Sequence, residues 1–190
     1  MYSNYPGGFA NGVTIRDVPI INSHPGKVYW VSNASTLQRG QRGGSNSNKG
    51  TYDSPFSTLA YAVTQCIANR GDVIFIKPGH AETISSATAL TLSIAGVAII
   101  GLGLGAIRPT FTLDTATTAT INVTAANIAI KNCIFSANFA DIVSFFTLTT
   151  AKYFTLIGNL FYDASSVLNF LNIVKSTGAA NTIDGLTCIS

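Results

Sequence analysis

At 190 residues the chain is long enough for one domain with a sizeable core. Charged residues make up 10% of it, against about 25% in a typical soluble domain, while 47% are hydrophobic, so much of the surface must be carried by Ser, Thr, Asn and Gly. A net charge of +3, from 11 basic and 8 acidic residues, is too slight to argue for a nucleic-acid partner.

Residues 1–27 hold Tyr2, Tyr5, Phe9, Val13, Ile15, Arg16, Val18 and Ile20 among Pro and Gly, and cannot build a core of their own. They read as an extended N-terminal arm, laid either along its own domain or onto a partner through these residues. The start has neither a basic nor an apolar signal region, which predicts a protein made in a host cytoplasm and kept there until release. Residues 28–190 then form one domain. Val28–Val31 reads as a strand, and residues 38–50 as a solvated, Gly-rich polar loop that is mobile unless something orders it.

Ser54-Pro55 looks like an N-cap followed by Pro at the first helical position, and Phe56, Leu59, Val63, Cys66 and Ile67 recur at helical steps. A helix near 55–68 is predicted, delivering the chain into Val73–Ile76. That short β-branched run lies between Gly71-Asp72 and Pro78-Gly79 and reads as a buried strand. Similar runs begin at Val97, Ile128, Phe154 and Leu186, at irregular spacings of roughly 24 to 32 residues. From the second run onward each is preceded by another strand-like segment: Leu90–Ile94, Thr120–Val123, Phe146–Leu148 and Asn172–Val174. Two or more short strands per repeat without intervening helices predict an all-β solenoid of about four coils capped by the helix. Taking the runs as equivalent points Val73, Phe75, Val97, Ile99, Ile128, Ile130, Phe154, Leu156 and Leu186 inward. The last run stops in mid-strand at Ser190, so this coil is expected to be incomplete: either the chain continues or a subunit covers its edge. Ala87–Ile107 is uncharged and long, but its alternation and glycines fit strands better than a membrane span.

Gly50-Thr51, Pro55–Leu59, Ala62, Gly71–Gly79 and Glu82 resemble the capping helix and first rung of pectate-lyase-like right-handed parallel β-helix proteins. Gly12–Arg16, His24–Val28 and Phe135–Asp141 are in turn similar to bacteriophage virion proteins of that superfamily. The resemblance covers nearly the whole chain. It implies a right-handed parallel β-helix, and for function it admits lyases, glycoside hydrolases and inert spikes alike.

Carbohydrate cleavage on such a coil needs paired carboxylates, or a Ca²⁺-binding carboxylate cluster with a basic residue. Beyond Ala81 the acids are only Glu82, Asp114, Asp141, Asp163 and Asp184. Asp114, Asp141 and Asp163 fall in inter-strand segments of successive coils but have no recurring partner. His24 and His80 each abut a Pro-Gly turn and read as surface or turn residues, and Gly101-Leu102-Gly103-Leu104-Gly105 lacks the spacing of a dinucleotide loop. Cys66, Cys133 and Cys188 have no metal or disulfide spacing and read as reduced core residues. The sequence therefore gives no catalytic, cofactor-binding or metal residues.

Without an assembled site, the reading this supports is a non-enzymatic phage structural protein, a head-attached fibre, spike or capsid decoration. Its arm would anchor it to capsid or other virion proteins, and homotrimer assembly and the preference for the head are implied by likeness to phage proteins. A host-surface glycan is a further candidate partner. The alternatives are a tail spike or polysaccharide-degrading β-helix enzyme, and a carbohydrate-binding module.

Overall fold

The computed structural model describes residues 14–15, 18–19, 26–35, 40–178 and 183–184. Near the N-terminus, β1 (Thr14–Ile15) and β2 (Val18–Pro19) pair antiparallel with each other. Next come β3 (Val28–Val31) and α1 (Leu59–Thr64). Four coils follow: β4 (Val73–Ile76), β5 (Ala81–Ile84) and β6 (Leu90–Leu92); β7 (Ala98–Gly101), β8 (Thr110–Leu113) and β9 (Ile121–Val123); β10 (Ala129–Lys131), β11 (Ile134–Ala137) and β12 (Phe146–Leu148); β13 (Phe154–Ile157), β14 (Leu160–Asp163) and β15 (Val174–Ser176). A last strand, β16 (Ile183–Asp184), pairs with β13. The fold is the expected right-handed parallel β-helix with little helix.

Each coil has three strands, so the stack has three parallel sheets. The first runs β3-β4-β7-β10-β13-β16, the second β5-β8-β11-β14 and the third β6-β9-β12-β15. The second sheet has no counterpart in the sequence reading. Its signal is a phenylalanine at one register position in successive coils: Phe111, Phe135 and Phe161 lie opposite one another and stack at 5.6 and 5.2 Å between ring centroids. These rings meet Phe146 and Ile99-type aliphatics inside a dry core, where alternate residues of every strand point inward.

Pairing corrects the assumed register at both ends of the stack. Val73 lies opposite Ala98, not Val97, and a one-residue slip exchanges faces. The inward row is thus Ile74, Ile99, Ile130 and Leu156, while Phe75 turns outward and stacks on Trp30 at 5.1 Å. Ile183 lies opposite Phe154, so the fifth run starts before Leu186, which itself falls outside the described residues, as does the chain end.

α1 is also shorter than predicted, and Ser54 does not cap it. Phe56 is drawn into a parallel bridge with Val31: its N–H donates to the Trp30 carbonyl and its own carbonyl accepts from Ser32. Only after this is the backbone free to coil, with Thr58 as N-cap accepting from the Tyr61 N–H. Residues 40–50 differ from the expected mobile loop. Arg42 donates its N–H to the Asp53 carbonyl, Asn48 reaches the Gly43 and Pro55 carbonyls, and Asn46 Oδ1 accepts from the N–H groups of Ser57 and Thr58. Gly50 sits at φ +71°, where a Cβ would stand 2.3 Å from the Phe56 ring.

The first coil meets the cap with hydrocarbon, from Ile74, Ile76, Leu90 and Leu92 against Leu59, Ala62 and Val63, and with charge at two inward positions. Asp72 occupies the inward position that Val97, Ile128 and Phe154 fill above it, and Glu82 the position of Phe111, Phe135 and Phe161. One carboxylate serves the start of α1 and the other the segment that follows it. Glu82 accepts the Leu59 N–H at 2.9 Å, and Asp72 accepts the Ile67 N–H at 2.8 Å. His80 is buried, not at the surface. Its Nδ1 accepts the Asn33 N–H, so the proton is on Nε2, which donates to Glu82. His24 lies outside the described residues.

Candidate functional site

Because the sheets are in register, the outward positions of the third sheet form a column across the coils: Thr91, Asn122, Thr147 and Lys175. The turns from the second to the third sheet rise beside this column and enclose a groove of about 250 Å³. Thr120 and Ser144 come from those turns, Asn122, Thr147 and Lys175 from the floor. A wall of hydroxyls results: Thr120 Oγ1 lies 3.0 Å and Ser144 Oγ 3.1 Å from Thr147 Oγ1. Asn122 is fixed by donating its amide to the Ala87 carbonyl of the coil below. Among the described residues lining this groove, Lys175 is the only ionisable group.

Next to the groove the backbone is strained. Thr115 sits at φ 81°, an unfavourable region for a β-branched residue, and the Asp114 carboxylate holds its N–H at 2.6 Å. Asp114 also accepts from the Asn138 amide at 3.2 Å, one coil above. Asp163 accepts the Phe170 N–H and orders the corresponding turn of the fourth coil, while Asp141 donates its backbone N–H to the Asn169 side chain. The carboxylates of Asp114 and Asp163 therefore work as turn-formers, while Asp141 enters its contact through the backbone alone. Glu82 belongs to the cap, and the side chain of Asp184 lies outside the described residues.

The predicted arm residues Tyr2, Tyr5, Phe9, Val13, Arg16 and Ile20 lie outside the described residues; for Ile15 and Val18 only the mutual strand pairing is described. Cys66 and Cys133 are buried free thiols, and burial pushes both up to about 12, which keeps them protonated and unreactive. Cys188 falls outside the described residues. No group of three or more potential metal ligands exists among the described residues, and no described helix is long and apolar enough to cross a membrane. The groove escaped the sequence reading because its residues come from four coils and are individually unremarkable Thr, Ser and Asn. The matching offsets of Asn122, Thr147 and Lys175 in successive third-sheet strands carry the one trace of it.

No protein-family model and no curated protein matches the chain. A solved structure, a rhamnogalacturonan lyase, is similar to it with a TM-score of 0.50 and 20% identity, over 73% of this chain and 38% of that one. The chain thus spans well under half of that protein's length, and the likeness speaks for a shared fold. It also corrects the expectation of a non-enzymatic protein, since the matching solved coil belongs to an enzyme. No finding bears on a virion.

Proposed function

We propose that this β-helix acts on an acidic polysaccharide seated in the third-sheet groove, cleaving it by elimination. The observation that carries the reading is the groove's chemistry: hydroxyls and an amide to hold sugar hydroxyls, one ammonium, and no carboxylate among its described lining residues. Hydrolysis needs two carboxyl groups flanking the scissile bond. Elimination from a uronate needs a base instead. Lys175 is the base that takes the C5 proton, the C5–H electrons form the C4–C5 double bond, and the glycosidic oxygen leaves from C4 and is protonated by water. Thr147, next to Lys175 in the column, and Asn122, one coil further, supply hydrogen bonds to the substrate. A solved protein with this fold carries rhamnogalacturonan in its name, which makes that polymer the first substrate to try.

The test is incubation with rhamnogalacturonan and polygalacturonate, reading unsaturated and reducing ends, with Lys175→Met alongside. New unsaturated ends that disappear in the variant are expected. Reducing ends without unsaturation would instead indicate hydrolysis, and the absence of any cleavage across acidic glycans would sink the proposal.

The resemblance of residues 12–16, 24–28 and 135–141 to phage virion proteins favours placing this activity on a particle, as in a trimeric spike held by residues 1–27. Deleting those residues and measuring incorporation into particles tests that placement.

A further inference from the structure

A second cavity, of about 290 Å³, lies at another corner of the stack, where the first coil turns from the first sheet to the second. Ser32, Gln41, Tyr52, Lys77 and Leu102 are among its lining residues. Lys77 is only 6% exposed, being roofed by the pinned loop over residues 40–55. Its ammonium donates to the Tyr52 carbonyl and stands 3.8 Å from the centre of the Tyr52 ring and 5.9 Å from that of Trp30. Among the described residues no carboxylate lies within ion-pair distance of Lys77, and the Asp53 charge bears on it only from farther off. A buried ammonium held by one carbonyl and two ring faces is underserved, because it has three donors and has lost its water. Burial pulls its pKa below the ordinary lysine value, against the opposing effect of the Asp53 charge.

We propose that this cavity is a binding site for a single acidic sugar, a hexuronate, whose carboxylate completes the coordination of Lys77. The volume lies at the small end of ligand pockets and suits one ring, not a chain. Tyr52, 45% exposed, offers an aromatic surface to a sugar's C–H face, and the Gln41 side chain, which reaches the Tyr52 carbonyl at 3.3 Å, stands at the rim for hydroxyl recognition. Pro78 and Leu102 supply an apolar wall that a bare inorganic anion would not use. The site shares no described lining residue with the groove, so it stands whether or not the groove cleaves anything.

Trp30 is the only tryptophan in the chain and packs edge-on against Tyr52 at 4.9 Å, so intrinsic fluorescence reports directly on this cavity. Titrating the full chain with galacturonate should give a saturable change, with galactose giving none over the same range. Lys77→Met, which keeps the stem's bulk, should weaken binding by about tenfold or more, as loss of a charge-assisted contact does. Lys175→Met should leave it unchanged. Should Lys77→Met fail to fold, competition keeps the question open to decision: acetate matching galacturonate in affinity would overturn the sugar assignment, and galactose matching it would overturn the role of the ammonium. A flat titration of the folded wild-type chain refutes the site.

Discussion

Replacing Asp72 probes how the stack is closed. Its carboxylate is fully buried and accepts four hydrogen bonds: Arg70 Nε at 2.6 Å and Nη2 at 2.7 Å, the Ile67 N–H at 2.8 Å and the Lys27 N–H at 2.7 Å. It therefore ties the exit of α1, the approach to β3 and the start of β4 at one point. Asp72→Ala leaves a guanidinium and two backbone donors without their acceptor, and breaking a buried pair in this way costs about 3–5 kcal/mol. For a chain of this size that corresponds to a fall in Tm of roughly 6–20 °C. Asp72→Asn keeps the shape but sets an NH₂ group against a donor, and should lose somewhat less. Acid dependence gives a second reading. Burial alone would raise the Asp72 carboxyl, but Arg70 and the two N–H donors outweigh it and hold the group below the usual carboxylate range. Its contribution is then complete above the unfolded-state value of about 3.9 and is lost as pH falls through the lower folded value. Thermal melts followed by circular dichroism at neutral pH and below pH 3 measure both effects. The wild type should lose its advantage over Asp72→Asn on acidification. Equal melting temperatures at neutral pH, or a gap that acid leaves intact, would refute this account of the cap.

Ile74→Asp should unfold the first coil, whereas Phe75→Asp should stay folded with only the Trp30 stacking lost; the opposite pattern by circular dichroism would restore the other register. Phe135→Ala removes the ring that touches Phe111, Phe145, Phe146 and Phe161 and should cost about 3–5 kcal/mol in a denaturant melt, a loss below 1 kcal/mol arguing against a stacked interior. Gly101→Ala places a methyl 2.4 Å from the Asn132 carbonyl oxygen of the next coil, so its melting temperature should drop, and an unchanged value would contradict the close approach of these turns. Lys175→Met should lower elimination by about 10²–10⁴-fold with the melting temperature unchanged, and activity retained in the variant would remove Lys175 as the base.

The solenoid was legible because its first and third sheets are written in β-branched runs punctuated by Gly and Asn. Those residue types mark the strand and the turn independently of what lies beside them. Asn132 shows why: at φ 57° it makes the tight corner from the first sheet to the second, and its amide donates to the Gly101 and Gly103 carbonyls of the coil below at 2.9 and 3.0 Å. The second sheet escapes the pattern because Ile134–Ala137 follows Lys131 after two residues, too closely for periodicity to part it from the turn, whereas Thr110–Leu113 follows Gly101 after eight residues, so the spacing does not recur. The phase error at Val73 has a similar origin. Asp72 is an inward residue, and a charge at an inward position breaks the apolar parity on which the phase was read.

That same exception explains what each end of the sequence pattern was unable to convey. In a parallel stack, hydrocarbon is the right inward group wherever another coil follows, as Phe111, Phe135 and Phe161 illustrate. Where the stack ends against a helix, backbone N–H groups around that helix need acceptors: Glu82 takes the first N–H of α1 and Asp72 that of Ile67 in the segment after it, both from the inward rows. Function follows the complementary rule. The groove depends on outward residues, whose identity the fold leaves free, and their alignment is set by register between coils about 25 to 30 residues apart. A column such as Asn122, Thr147 and Lys175 therefore acquires chemical meaning only once Phe146 is known to lie opposite Ile121 and Val174. Register must be settled by the inward residues before the outward ones can be read.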